Sequence, residues 1–116
     1  MGTGSNTDYY DRPEVVAAFY EARGRGLRER ERRAVDAHFD PGGRLLDLGC
    51  GAGRTSAALA AEGFDVVGLD TSRPMLSLAA DADPDVAYLV GDASALPFPD
   101  GSFPQVLFSY NGIDEL

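Results

Sequence analysis

The run Leu45-Leu46-Asp47-Leu48-Gly49-Cys50-Gly51-Ala52-Gly53 constrains this chain more than any other feature. A short apolar stretch gives way to glycines at every second position, and the Ala-rich segment Arg54 to Glu62 follows. This order reads as strand, tight turn and helix. Glycine admits backbone conformations closed to other residues and leaves no side chain between the backbone and a ligand, and the first turn of the helix brings unpaired N–H groups. In an open parallel sheet such a turn stands where a nucleotide-like ligand binds. Glycines also end strands for purely structural reasons, so the surroundings must decide.

Apolar runs at Arg44 to Leu48, Asp65 to Leu69, Val86 to Val90 and Gln105 to Ser109 predict four strands buried on both faces, as parallel strands are. The Ala-rich helix, ended by Gly63, joins the first two; a helix capped by Ser72 with Pro74 in its first turn joins the next two. The expected fold is α/β, a Rossmann-like, partial doubly wound parallel sheet of order 3-2-1-4. The link Gly91 to Pro104 is Pro-rich and holds at most a helical turn around Ala93 to Leu96. Upstream, Asp11-Arg12-Pro13-Glu14 starts a helix with the stripe Val15, Val16, Phe19 and Tyr20. Gly24 and Gly26 interrupt it, and a second helical run carries Leu27, Ala34, Val35, His38 and Phe39. The chain divides into an N-terminal helical segment, 1–43, and a Rossmann-like half domain, 44–116.

At 116 residues this is one domain at most. All 10 basic residues are Arg, against 19 acidic ones, for a net charge of −9. Such a surface repels phosphate backbones and argues against nucleic acid as a partner. In the Arg-rich stretch Arg23 to Arg33, Arg28, Arg30 and Arg32 alternate with Glu29 and Glu31, as on a solvated helix face with internal pairing. Cys50 is the only cysteine, which excludes an internal disulfide and a Cys-cluster metal site and suits a reducing cytoplasm. No metal is expected. No segment approaches the roughly 20 apolar residues of a membrane span.

Three carboxylates give the loop its chemistry. Asp70 closes the second strand, where it can accept both hydroxyls of an adenosine ribose. Asp47 would face the anionic pyrophosphate of a dinucleotide, which is unfavourable in a partly desolvated crevice, whereas a ligand carrying an ammonium and a sulfonium meets no such objection. Asp92, in Gly91-Asp92-Ala93 after the third strand, can accept an adenine amino hydrogen.

Leu45 to Arg54, Val67-Gly68-Leu69-Asp70-Thr71-Ser72 with Met75-Leu76, and Gly91-Asp92-Ala93 through Leu96-Pro97-Phe98-Pro99-Asp100-Gly101-Ser102-Phe103 together resemble the class I S-adenosylmethionine-dependent methyltransferases. The similarity is greatest to small-molecule enzymes of the ubiquinone/menaquinone and related type 11 group, and it covers roughly residues 44 to 110. The resemblance implies S-adenosylmethionine as cofactor. Gly49, Gly51 and Gly53 would cradle it, with Asp47 holding its ammonium directly or through water and Arg54 near its carboxylate. Asp70 would bind the ribose, Thr71 or Met75 would lie by the adenine, and Asp92 with the Ala93 N–H would read the adenine edge. Tyr9 and Tyr10 resemble aromatics that fold over the cofactor from an N-terminal helix. Tyr110 and Asn111, beyond the fourth strand, stand where they could touch the methyl or its acceptor.

Each residue also has a plainer reading. Asp47 could cap the turn, Asp70 and Asp92 could cap helices, Met75 could be core, Arg54 could be solvated, and Tyr9 and Tyr10 could pack the helix. Tyr110 and Asn111 could be ordinary loop residues, His38 suits a helix end, and Cys50 reads as a small buried residue. The resembled family has seven strands, with the acceptor pocket built after the fourth. Helices on one face would therefore leave the other almost bare, to be covered by a missing C-terminal half or by self-association. Pro104 stands where relatives carry Asp, which is tolerable at a strand's first position. The expected function is methyl transfer to a small-molecule acceptor. A non-catalytic cofactor-binding module is the alternative, and an NAD-dependent oxidoreductase, which Asp47 disfavours, is the third reading.

Overall fold

The computed structural model describes residues 9–99 and 101–108. Helix α1 (Pro13–Glu21) runs into a 3-10 turn (Ala22–Arg25), and helix α2 (Glu29–His38) follows. Strand β1 (Arg44–Leu48), helix α3 (Arg54–Ala61), strand β2 (Asp65–Asp70), helix α4 (Arg73–Ala82), strand β3 (Ala87–Val90) and strand β4 (Gln105–Phe108) complete the order. The strands form one parallel sheet, β3-β2-β1-β4, as the spacing of apolar runs and glycines requires. Because the chain steps outward from β1 to β3 and then crosses back to β4, the strand order reverses beside β1. The glycine turn leaves β1 at its carboxyl end, where an open α/β sheet has its ligand crevice.

Register separates the two faces. Leu45, Val66 and Leu107 face the helices and pack with Val35 of α2, Leu59 of α3, Phe64 and Val86. Ser72 caps α4 as expected, accepting from the Met75 amide at 3.4 Å. Helix α1 starts differently: Arg12 is its N-cap and makes no side-chain cap bond, and Pro13 sits at the first position.

The opposite face is less bare than expected. Leu46, Leu48, Val67 and Leu69 are buried because the link between β3 and β4 folds back and lays Ala93, Phe98 and Phe103 over them. Phe98 and Phe103 meet edge to face at 4.9 Å between ring centroids, and the Arg44 guanidinium lies 4.7 Å from the Phe103 ring centroid. A link without a helix can still cover a sheet with two aromatics. Leu89, Val106 and Phe108, on the outer strands of this face, stay exposed. No helix among the described residues is long and apolar enough to cross a membrane.

Candidate functional site

The loop between β1 and α3 closes on itself through the Gly53 amide, which donates to the Cys50 carbonyl at 3.0 Å, and is also held by its neighbours. The Gly49 and Cys50 amides donate to the Leu69 carbonyl at 2.8 and 3.2 Å, and the Gly51 amide donates to Asp70 Oδ2 at 2.8 Å. Gly49, Gly51 and Gly53 have φ of 72°, 56° and 94°, which makes the alternating glycines a conformational requirement.

Asp70 is half-buried at the end of β2 and takes one N–H on each oxygen, from Gly51 and, at 3.0 Å, from Ser72. It caps no helix, since that role falls to Ser72. A carboxylate has about four acceptor positions, so capacity remains for two ligand hydroxyls. Asp47 is fully buried beneath the loop, where Oδ2 accepts from the hydroxyls of Thr55 at 2.5 Å and Ser56 at 2.7 Å in the first turn of α3. The carboxylate thus fastens the helix start to the strand end. Burial first, and then the negative charges of Asp47 and Asp70, push the Cys50 thiol well above its ordinary range. Cys50 is buried, as read from sequence.

Tyr10 is half-buried, and its hydroxyl is raised by burial, by Tyr9 and by the nearby Asp70 charge. Its ring meets Tyr9 at 5.0 Å and Phe19 at 5.9 Å, and its carbonyl accepts from the Ser72 hydroxyl at 3.3 Å. The structure therefore brings Tyr10 near Asp70, with its ring against Phe19 of α1. Exposed Asp92 accepts on Oδ1 from the Ser94 amide and hydroxyl, both at 2.9 Å, and these bonds hold its carboxyl below the ordinary value. Ala93 follows it in this turn, partly buried against the sheet.

Two expected ligand contacts are corrected. Arg54 stands neither in solvent nor at an open ligand carboxylate: it is buried, with both terminal nitrogens 2.8 Å from Glu31 and Nη1 2.7 Å from the Gly26 carbonyl. A guanidinium turned under the loop is claimed by the buried carboxylate that neutralises it. Met75 is core, packed with Val15 and Val16 where α4 meets α1. Thr71 is exposed beside Asp70, and His38 is exposed in the last turn of α2. Tyr110 and Asn111 lie outside the described residues.

The Arg-rich stretch is also only partly what its alternation implies. Arg32 pairs with Asp36 and Glu62 at the surface, and Arg33 with Glu29, whereas Glu31 turns inward. Glu31 was legible from its i+4 spacing between Leu27 and Val35, which puts it on the buried stripe. Burial alone would raise its carboxyl; the Arg54 hydrogen bonds and the Arg28 amide outweigh that and hold it below the ordinary carboxylate value. A depressed carboxyl adds stability above its unfolded value and loses it as pH falls through the folded one. Thermal unfolding across pH should therefore show the chain losing stability below about pH 4.5, a loss that Glu31→Gln makes shallower.

A family model for a methyltransferase domain matches residues 45–115. The chain belongs to the methyltransferase domain family. It is 49% identical over 70 residues to a demethylmenaquinone methyltransferase of Beutenbergia cavernae, covering 60% of this chain and 29% of that protein. It is 39% identical over 112 residues to the enzyme of the same name from Renibacterium salmoninarum, covering 85% of this chain and 47% of that one. The crystal structure of a TehB-like SAM-dependent methyltransferase from Corynebacterium glutamicum superposes with a TM-score of 0.64 at 26% identity, over 88% of this chain and 53% of that one. This methyltransferase domain thus spans less than half the length of those two curated relatives. The matched span opens at Leu45, so the glycine loop, Asp70 and Asp92 all lie within it.

Proposed function

We propose that this chain is the S-adenosylmethionine-binding part of a methyltransferase with a small-molecule acceptor. The observation that carries the reading is the loop itself: three positive-φ glycines braced by Asp70, in a field made negative by Asp47 and Asp70. That donor set fits the cofactor. Its carboxylates suit an ammonium and a sulfonium and oppose the pyrophosphate of a dinucleotide. The relatives' name supports an acceptor of the demethylmenaquinone kind.

In this reading Gly49, Gly51 and Gly53 admit the methionine end, Asp47 sets the local charge from beneath, and Asp70 receives the ribose hydroxyls. Thr71 and Tyr10 flank Asp70 on the adenosine side, and Asp92 with Ala93 reads the adenine edge. Arg54 and Met75 support the loop and the helix without touching ligand. When bound, the cofactor supplies an activated methyl on a sulfonium, so the protein's task is alignment of the two reactants. In the N-terminal segment Arg23 braces the loop and Glu31 holds Arg54, while β1, β2 and the turns after them carry the site. Tyr110 and Asn111, which follow β4 in the sequence, are the candidates for touching the methyl or its acceptor.

Calorimetric titration with S-adenosylhomocysteine, and with NAD as control, tests the assignment. Saturable binding of the first alone is expected, and Asp70→Ala should weaken it by about 1–3 kcal/mol through loss of hydrogen bonds to a charged acceptor. Binding of NAD in its place would reverse the reading of Asp47. Saturable binding without methyl transfer to any acceptor would favour a non-catalytic module.

A further inference from the structure

A side-chain cluster outside the carboxylates also reaches the glycine loop. Arg23, in the 3-10 turn after α1, donates from Nη1 to the Ala52 carbonyl at 2.6 Å. The same guanidinium makes two bonds to Asp83 at the end of α4, at 2.9 and 2.7 Å, and lies 5.6 Å from the Tyr20 ring centroid. Asp83 Oδ2 also accepts from the Tyr88 hydroxyl of β3 at 2.8 Å. The Tyr88 ring then runs across Gly68, where a Cβ would lie 2.7 Å from its Cδ1. At Gly53 a Cβ would lie 2.6 Å from the Tyr88 hydroxyl and 2.7 Å from Arg23 Nη1. Arg23 from the 3-10 turn and Tyr88 from β3 therefore close on the Ala52–Gly53 peptide, and Asp83 joins the two.

We propose that Arg23, Asp83 and Tyr88 form a clamp that fixes the Ala52–Gly53 peptide in its ligand-ready conformation, which makes them positioning residues for the cofactor. The proposal rests on the S-adenosylmethionine reading. A glycine loop has many backbone states open to it, and ordering it only on binding subtracts from affinity. A guanidinium on one loop carbonyl, itself held by a carboxylate and a phenol, removes those alternatives beforehand. The phenol and the guanidinium of the clamp both keep their protons near neutrality. Burial and then the Asp83 bond hold the Tyr88 phenol protonated, and the Asp83 bond raises Arg23 further. A charge-assisted bond from the N-terminal segment thus reaches the loop at Ala52, while Asp70 holds it at Gly51.

The test uses the full chain and S-adenosylhomocysteine, with affinity by calorimetry and loop order by amide hydrogen exchange over residues 49–57. Arg23→Met should bind about tenfold more weakly, as loss of one charge-assisted bond implies, and should exchange faster in the loop. Tyr88→Phe, which keeps the ring, should show the same pair of changes to a smaller degree. Arg23→Lys, which retains a donor for the Ala52 carbonyl, should recover part of the affinity. Arg33→Met, at an exposed pair, should match wild type in both readouts. Variants that melt earlier yet keep wild-type affinity and loop exchange would overturn the clamp and leave a structural role only. Failure of the wild-type chain itself to bind would remove the cofactor reading, and the proposal with it.

Discussion

Arg54→Met is expected to cost about 3–5 kcal/mol of folding stability, the range for breaking a buried ion pair by removing one partner. The Glu31 carboxylate would stay where it is, capping α2 through the Arg28 amide at 2.7 Å, but with its charge uncompensated in the interior. Adding Glu31→Gln should return part of the loss, since an amide still accepts from Arg28 and carries no charge. The pH dependence should also change sign. In wild type the depressed Glu31 carboxyl makes stability fall as acid is added. Without Arg54, burial, the largest influence on that carboxyl, is opposed by Arg28 alone and raises it, so lowering the pH from neutrality toward about 5 should stabilise the variant. Urea unfolding at several pH values checks both statements. A loss under about 1 kcal/mol would mean that the pair contributes no more than a surface one.

That ion pair also shows where sequence reasoning stops. The strands, their order and the loop were legible because each follows from local pattern: apolar runs for buried parallel strands, glycines for a turn with positive φ, Ser72 for a helix start. Asp70 was legible as well, because the end of a strand beside a glycine turn fixes where a side chain stands. Arg54 was not. Its position directly after the loop suggested a ligand contact, but its partner lies 23 residues upstream on a helix whose packing angle no local pattern specifies. Arg23 and Tyr88 were missed for the same reason: both reach Asp83 and the loop only after their elements have packed. The cover over Leu46 and Leu69 was missed because irregular backbone carries no periodicity to read.

Gly53→Ala should be the most damaging single methyl in the loop. At φ 94° an alanine is strained by roughly 1–2 kcal/mol, and its Cβ would press on the Tyr88 hydroxyl and on Arg23. Forcing those atoms apart adds about 1–3 kcal/mol, the usual cost of overpacking, for a total near 2–5 kcal/mol. The two contributions can be separated. Tyr88→Phe deletes the oxygen 2.6 Å from the new methyl, so Gly53→Ala should cost less in the Tyr88→Phe background than in wild type. The backbone strain is unaffected by that change and should persist. Equal costs in the two backgrounds would locate the penalty in the backbone and the Arg23 contact, not in the Tyr88 hydroxyl. A Gly53→Ala chain as stable as wild type would mean that the loop shifts freely, which its bonds to Leu69, Asp70 and Arg23 oppose.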